Sequence, residues 1–188
     1  MVASSGSVMR PLYPAYAASM GAWTAPLLVA SALLAVAGAP KVVHPANTVG
    51  ALRSVGWAVP PITVRAFGAG ETALGIATLL TGARILAAFV ALSYATFSVF
   101  LIVALRSGGA VSSCGCIGRA DTPPTRSHLA VTAALTITST MSALAGADGL
   151  STIGWSATAV TTLCFSALAG WLVWLVFTAV PHLMPKES

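Results

Sequence analysis

Five long apolar stretches, separated by charged residues, dominate the pattern of this chain. A helix that crosses about 30 Å of hydrocarbon needs about 20 mostly apolar residues. Backbone polar groups cannot stay unpaired in lipid, so these stretches are predicted to be helices and not isolated strands. The predicted membrane spans cover residues 17–39, 62–80, 85–105, 128–147 and 155–180.

The segment between the first two spans has a different pattern. Apolar residues recur at helical spacing from Val49 to Val55, and Asn47 is a suitable N-cap residue. These features predict a short amphipathic helix over residues 47–56 that lies along the membrane surface. Trp57 then falls at the level of the lipid headgroups, where tryptophan is enriched.

Composition supports the membrane assignment. The chain has 57% hydrophobic and 7% charged residues and a mean hydropathy of +0.90, whereas soluble domains carry roughly 25% charged residues. The expected fold is an all-α integral membrane bundle of four core helices plus a fifth transmembrane helix. Residues 1–188 are expected to form a single domain, because no linker or repeat divides them. The nine Lys and Arg residues are scattered, which argues against nucleic acid as a partner.

The distribution of positive charge predicts an orientation. With five spans, one side of the membrane carries Arg10 and Arg84, and the other side carries the remaining basic residues. The basic residues of that second side are Lys41, Arg53, Arg65, Arg106, Arg119, Arg126 and Lys186. In a bacterial plasma membrane, the positive-inside rule makes the richer side cytoplasmic. The loop over residues 106–126 is therefore expected at the cytoplasmic surface.

That loop contains the sequence CGC, with Cys114 and Cys116 on either side of Gly115. Glycine lets the backbone bend, so the two thiols can close a very small and strained disulfide ring. A strained disulfide is easily reduced, which suits a working redox pair. Bridging so few residues removes little entropy from the unfolded chain, so the bond is a poor structural staple. The flanking arginines favour the reactive thiolate.

Metal binding is the competing use of paired cysteines. A closed zinc site needs four ligands, and the spacing of the histidines and cysteines in this chain does not resemble a zinc module. No metal site is predicted from this chain alone, although a soft copper-type site shared with a partner is an alternative. Cys164, within the fifth span, is expected to be an ordinary buried small residue.

Glu71 is an acidic residue about halfway along the second span. A charge at that depth costs about 2.5 kcal/mol or more, so such residues face the bundle interior and have a partner or a purpose. Its expected neighbours are the hydroxyls of Ser93, Tyr94 and Thr96, or the guanidiniums of Arg65 and Arg84. Proton handling beside the redox pair, binding of a polar ligand and interhelical hydrogen bonding that fixes the packing are all open roles.

The order of these features resembles a known family. The first span is followed by "AGAPKVVHPANTVGALRSVGWAVPP", "GAGETALGIATLLTGARILAA", a third span ending in "ALRSGG", "CGCIG" and "TRSHLAVTAAL". Over residues 20–147 this order is similar to the MauE family of methylamine utilisation membrane proteins, which is related to DoxX-like membrane proteins. The resemblance implies a helical bundle that assists maturation of an extracytoplasmic redox enzyme, alongside a thioredoxin-like partner. In methylamine operons, the family serves the processing of the cysteine-rich small subunit of methylamine dehydrogenase. Cys114 and Cys116 match the family cysteines, and Glu71 matches the intramembrane acid.

Two hypotheses follow. In the first, Cys114 and Cys116 form a membrane thiol/disulfide relay that exchanges electrons with a thioredoxin-like protein or with a quinone as acceptor. In the second, the protein is a non-catalytic subunit or assembly factor of a larger membrane complex, and the cysteines are passive or bind metal. The family role implies chemistry outside the cytoplasm, whereas the charge distribution places the cysteines inside. Transfer of electrons across the bilayer, or an inverted topology, would reconcile the two.

Overall fold

The computed structural model describes residues 21–106, 125–154 and 156–178. It contains six helices: α1 (Thr24–Val43), α2 (Pro45–Ser54), α3 (Pro61–Thr81), α4 (Arg84–Arg106), α5 (Arg126–Ala145) and α6 (Ala157–Thr178). Every regular element in the described ranges is an α-helix, and the helices pack into one bundle. The prediction of an all-α membrane bundle is confirmed.

Four of these helices, α1, α4, α5 and α6, are long and apolar enough to cross a membrane. The protein is therefore a multi-pass membrane protein. Helix α3 has a similar length of 21 residues, but Arg65 and Glu71 lower its mean hydropathy. A fifth crossing by α3 stays a prediction.

Helices α1 and α3 run antiparallel and approach each other closely at small residues. A methyl group added to Gly68 would lie 2.7 Å from the Gly38 carbonyl oxygen, and one added to Gly75 would lie 2.6 Å from the Ala35 nitrogen. The Thr72 hydroxyl donates to the Ala35 carbonyl across this contact, at 3.3 Å. The two backbones therefore touch directly, as in membrane helix pairs whose interfaces consist of small residues.

Helices α4 and α5 complete a four-helix core around the α1/α3 pair. They form an antiparallel hairpin, joined near its middle by a 3.0 Å hydrogen bond from Ser98 to Thr132. The Tyr94 hydroxyl of α4 donates to the Ala30 carbonyl of α1 at 2.7 Å. The apolar centre of this core is Ala30, Leu34, Val90, Tyr94 and Leu135.

Helix α6 lies at the edge of the bundle, against α1. An open apolar cleft of about 430 Å³ separates the two helices, and its walls include Leu33 and Trp171. Much of α6 is exposed, including Phe165 and Leu168. Cys164 is also exposed, so the expectation that it is buried was wrong. Its side chain lies on the outer side of a helix that has neighbours on one side only.

Helix α2 covers one end of the bundle. Its N-cap residue is His44 and Pro45 is its first residue, so the helix starts earlier than the predicted N-cap Asn47. Proline suits the first turn because the amide hydrogen it lacks would have no helical partner there. Ala51 packs on Phe100 and Ala104 of α4, with Leu52 and Val55 beside them. We call this end of the molecule the α2 end.

The opposite end is closed by the segment between α5 and α6. The amides of Leu150 and Ser151 donate to the carbonyls of Leu79 and Leu80, each at 2.9 Å, and so satisfy the last turn of α3. Gly82, which follows α3, has a φ of +63°, which favours glycine. This segment thus ties α3 to the chain that leads into α6.

Candidate functional site

The loop that carries Cys114 and Cys116 joins α4 to α5. Residues 107–124 lie outside the described residues, so the geometry of the two thiols is not part of this structure. The last residue of α4, Arg106, and the N-cap of α5, Thr125, are both described. Since α4 and α5 are antiparallel, both ends of the loop start at the α2 end of the bundle.

The exit of this loop into α5 is fixed by a capping box. The Thr125 hydroxyl accepts the His128 amide at 3.3 Å, and Nδ1 of His128 accepts the Thr125 amide at 3.2 Å. His128 is only 2% exposed. Two amides of the first turn are satisfied in this way, so the first residues of α5 are held firmly where the cysteine loop ends.

Glu71 lies in the middle of α3 and is 3% exposed. Its Oε2 atom is 2.6 Å from Nζ of Lys41, which lies in the last turn of α1 and is equally buried. The ammonium also lies 4.3 Å from the centre of the Phe97 ring and 5.8 Å from that of Phe67. The acid is therefore half of a buried ion pair that is enclosed by aromatic rings.

The partners expected for Glu71 from the sequence are engaged elsewhere. The hydroxyls of Ser93, Tyr94 and Thr96 donate to backbone carbonyls of Phe89, Ala30 and Leu92. Arg84 donates to the Ala145 carbonyl at the far end of the bundle, and Arg65 is exposed. Those expected partnerships were wrong. The α4 hydroxyls are satisfied locally, and an ammonium neutralises a carboxylate better than a neutral hydroxyl does.

Lys41 was missed as a functional residue because it was counted among the charges of the loop that follows the first span. The sequence does hold a signal for it. Ser31, Leu34, Gly38 and Lys41 recur at intervals of three or four residues, and all four are buried. Lys41 therefore continues the face of α1 that packs against α3, and its charge requires an acid on that helix.

One oxygen of the Glu71 carboxylate is left without a partner in the described part of the chain. Oε2 accepts a hydrogen bond from Nζ of Lys41, whereas Oε1 is buried and accepts no hydrogen bond there. A carboxylate can accept several hydrogen bonds, so the site can accept one further donor. Among the described residues, no group of three or more His, Cys, Asp or Glu could hold a metal ion.

The ion pair lies in the half of the bundle in which α4 ends and α5 begins. Phe97, which contacts the Lys41 ammonium, lies nine residues before the end of α4 at Arg106. At 1.5 Å per residue this places the pair about 14 Å below the start of the loop. The structure thus brings Lys41 and Glu71 together, while the position of Cys114 and Cys116 relative to them falls outside its described residues.

Comparison with known proteins places this bundle in a family. A family model described as methylamine utilisation protein MauE matches residues 18–175. That range includes all six helices except the last residues of α6. No curated protein and no solved structure matches the chain significantly. Because the family model covers most of the chain, this protein belongs to the MauE family of membrane proteins in methylamine utilisation.

Proposed function

We propose that this protein is a membrane thiol/disulfide relay that assists maturation of a redox enzyme or another cysteine-containing partner. The observation that carries the proposal is the CGC sequence, with Cys114 and Cys116 in the loop between two helices of a membrane bundle. Membership of the MauE family supports it. The third cysteine, Cys164, lies on the exposed side of α6 and is left out of the relay.

The reaction is a pair of exchange steps. A thiolate of Cys114 or Cys116 attacks a disulfide of the partner, forms a mixed disulfide and releases one partner thiolate. The second cysteine then attacks the mixed disulfide and releases the other partner thiolate. The partner gains two electrons and the CGC pair becomes a disulfide. A thioredoxin-like protein then reduces the CGC disulfide and restores the dithiol. In the reverse direction, the CGC disulfide oxidises two thiols of the partner, and a quinone accepts the two electrons from the CGC dithiol.

Charge supports an orientation for the relay. At the α2 end, Arg53, Arg65, Arg106 and Arg126 are all exposed, whereas Arg84 lies at the opposite end. In a bacterial plasma membrane this asymmetry favours the α2 end as the cytoplasmic side. The cysteine loop then faces the cytoplasm, where thiols stay reduced.

Glu71 belongs to the proposed site as a supporting residue. Its ion pair with Lys41 joins α1 to α3, and the Oε1 atom, which has no partner among the described residues, can accept a proton or a hydrogen bond. The ion pair supports the packing role, and the unpartnered oxygen supports proton handling. Either role leaves the exchange of electrons to the cysteines.

A second function is also supported by one observation. Helix α6 packs on one side only and exposes Phe165, Leu168 and Trp171. This is the surface that a non-catalytic subunit or assembly factor would present to a larger membrane complex. In that case Cys114 and Cys116 would not cycle between thiol and disulfide.

Differential alkylation of intact cells tests the relay. In a Cys164→Ser background, the only cysteines left are Cys114 and Cys116. We expect a membrane-impermeant maleimide to label neither thiol from outside, a permeant maleimide to label some molecules, and prior reduction to increase that labelling. Labelling from outside would invert the orientation, because it places the loop on the extracytoplasmic side.

Two further variants separate the functions. Cys114→Ser should trap a mixed disulfide between Cys116 and the partner protein, or leave the partner in the wrong redox state. Cys116→Ser should give the same result through Cys114. Labelling that reduction does not change, together with partner proteins whose redox state is normal in both variants, would contradict the relay and leave the assembly role. Cys164→Ser alone is the matched control and should behave as the wild type.

A further inference from the structure

The α2 end of the bundle carries four exposed guanidiniums. Arg53 is near the end of α2, Arg65 is in the second turn of α3, Arg106 ends α4 and Arg126 begins α5. Arg53 and Arg106 each lie two residues beyond the contact of Ala51 with Ala104, and Arg65 lies three residues before Gly68, which packs against the last turn of α1. Four helices from different parts of the chain thus contribute one positive charge each to the same surface.

These charges have no acidic partner within the described part of the chain. Among the described residues, the acid nearest the α2 end is Glu71. It is buried and forms an ion pair with Lys41. Among the described residues, the contact between Lys41 and Glu71 is the one ion pair. The net charge presented by the described residues at this end is therefore that of the four arginines.

The opposite end of the bundle is different. Its two described charges, Asp148 and Arg84, are used inside the fold. Asp148 Oδ2 accepts the Gly21 amide at 3.3 Å and the Thr24 hydroxyl at 3.4 Å, at the start of α1. Arg84 donates to the Ala145 carbonyl at the end of α5. The two charges at this end are opposite in sign and bind groups at helix termini. The four arginines at the α2 end form no ion pair in the described structure.

The segment around α2 also has the features of a surface in contact with headgroups. Within α2, Val49 and Ala51 are under 10% exposed, whereas Arg53 near its end is exposed. Trp57 follows the helix, is 44% exposed, and its ring lies 6.3 Å from that of Phe100. Tryptophan with one buried and one exposed side is typical of the headgroup layer, and an exposed arginine close to it is attracted to an anionic membrane surface.

We propose that the α2 end binds the headgroups of anionic phospholipids, with Arg53 and Arg65 on either side of Trp57 as the main phosphate ligands. Guanidinium binds phosphate oxygens through two parallel hydrogen bonds, and the four cations of this surface that have no acidic partner among the described residues are all arginines. Arg53, Trp57 and Arg65 come from α2, its connection to α3 and the second turn of α3. Arg106 and Arg126 extend the surface to the end of α4 and the start of α5.

Lipid retention by the purified full-length protein tests the proposal. The protein is loaded in detergent with equal amounts of phosphatidylglycerol and phosphatidylcholine, and the bound lipids are counted by native mass spectrometry. We expect the wild type to retain phosphatidylglycerol in preference, and the preference to fall in high salt. Each arginine near a membrane surface contributes roughly a fivefold preference, so Arg53→Gln/Arg65→Gln should lose about 25-fold.

Arg84→Gln is the matched control, because it removes an exposed arginine from the opposite end and should leave the preference unchanged. If the Arg53→Gln/Arg65→Gln variant unfolds in detergent, the Arg106→Gln/Arg126→Gln variant gives a second measurement on the same surface. Equal retention of both lipids by the wild type, or an equal loss in Arg84→Gln, overturns the proposal. An unchanged preference in both double variants also overturns it and leaves an acidic protein surface as the ligand of these arginines.

Discussion

We expect the Lys41→Met variant to lose about 3–5 kcal/mol of unfolding free energy, which is the usual cost of removing one partner from a buried ion pair. The loss arises because the Glu71 carboxylate stays in the bundle interior without its ammonium, which lies 2.6 Å away in the wild type. Glu71→Met should lose a similar amount for the converse reason. Unfolding of each purified variant by SDS titration, followed by circular dichroism, measures the change.

The double variant Lys41→Met/Glu71→Met should be much more stable than the sum of the two losses implies. It removes both charges and fills their space with apolar side chains of similar size, a change that is often neutral in buried pairs. Arg53→Met is the matched control, because it removes an exposed cation at the same end of the bundle and should change stability by less than about 0.5 kcal/mol. Strictly additive losses in the double variant would mean that the two charges do not stabilise each other.

The second large effect is expected from Gly68→Val. Any Cβ at Gly68 would lie 2.7 Å from the Gly38 carbonyl oxygen and 2.7 Å from Cβ of Lys41, and backbone atoms cannot move aside as a flexible side chain can. Helix α3 must therefore shift away from α1. Overpacking of a close contact costs typically about 1–3 kcal/mol and occasionally more, and we expect the upper part of this range in the same SDS titration.

Gly70→Val provides the control on the same helix. A Cβ at Gly70 has no atom within 4 Å, so this variant carries the same change in helix propensity without the clash. The difference between the two variants isolates the contact between α1 and α3. Equal losses in Gly68→Val and Gly70→Val would mean that the close approach of the two helices contributes nothing to stability.

The glycine contact and the ion pair are neighbours in space. Gly68 is three residues before Glu71 on α3, and its surroundings include the Cβ of Lys41. A shift of α3 caused by a side chain at position 68 therefore also lengthens the distance from Lys41 to Glu71. Residues in contact do not lose stability additively, so Gly68→Val combined with Lys41→Met should lose less than the two separate losses together.

Much of the fold could be predicted from the sequence because the bilayer restricts the possibilities. Each apolar stretch between charged residues becomes a helix, since only a helix satisfies its own backbone in lipid. The third stretch is an example: residues 85–105 were predicted, and α4 covers Arg84–Arg106. A short helix between the first two spans was also predicted, although its start was placed at Asn47 and not at Pro45. The helix begins directly after α1, because His44 is both the C-cap of α1 and the N-cap of α2.

The candidate site was predicted less completely. Glu71 was identified as an unusual intramembrane acid, and the structure shows that it is buried, but Lys41 was assigned to the surface. The partner lies 30 residues away on another helix, and distance along the chain does not reveal which residues meet. Cys114 and Cys116 lie outside the described residues, so their role rests on the sequence and on the family.

The sequence by itself determined the class of the protein, the order of its helices, the presence of a buried acid and the CGC pair, because hydropathy and residue chemistry are local properties. Only the tertiary structure decided that Lys41 neutralises Glu71 and that Cys164 faces outward. Those outcomes depend on which helix faces which. The close approach of α1 and α3 at Gly38 and Gly68 sets that arrangement, and it is a property of the packed chain.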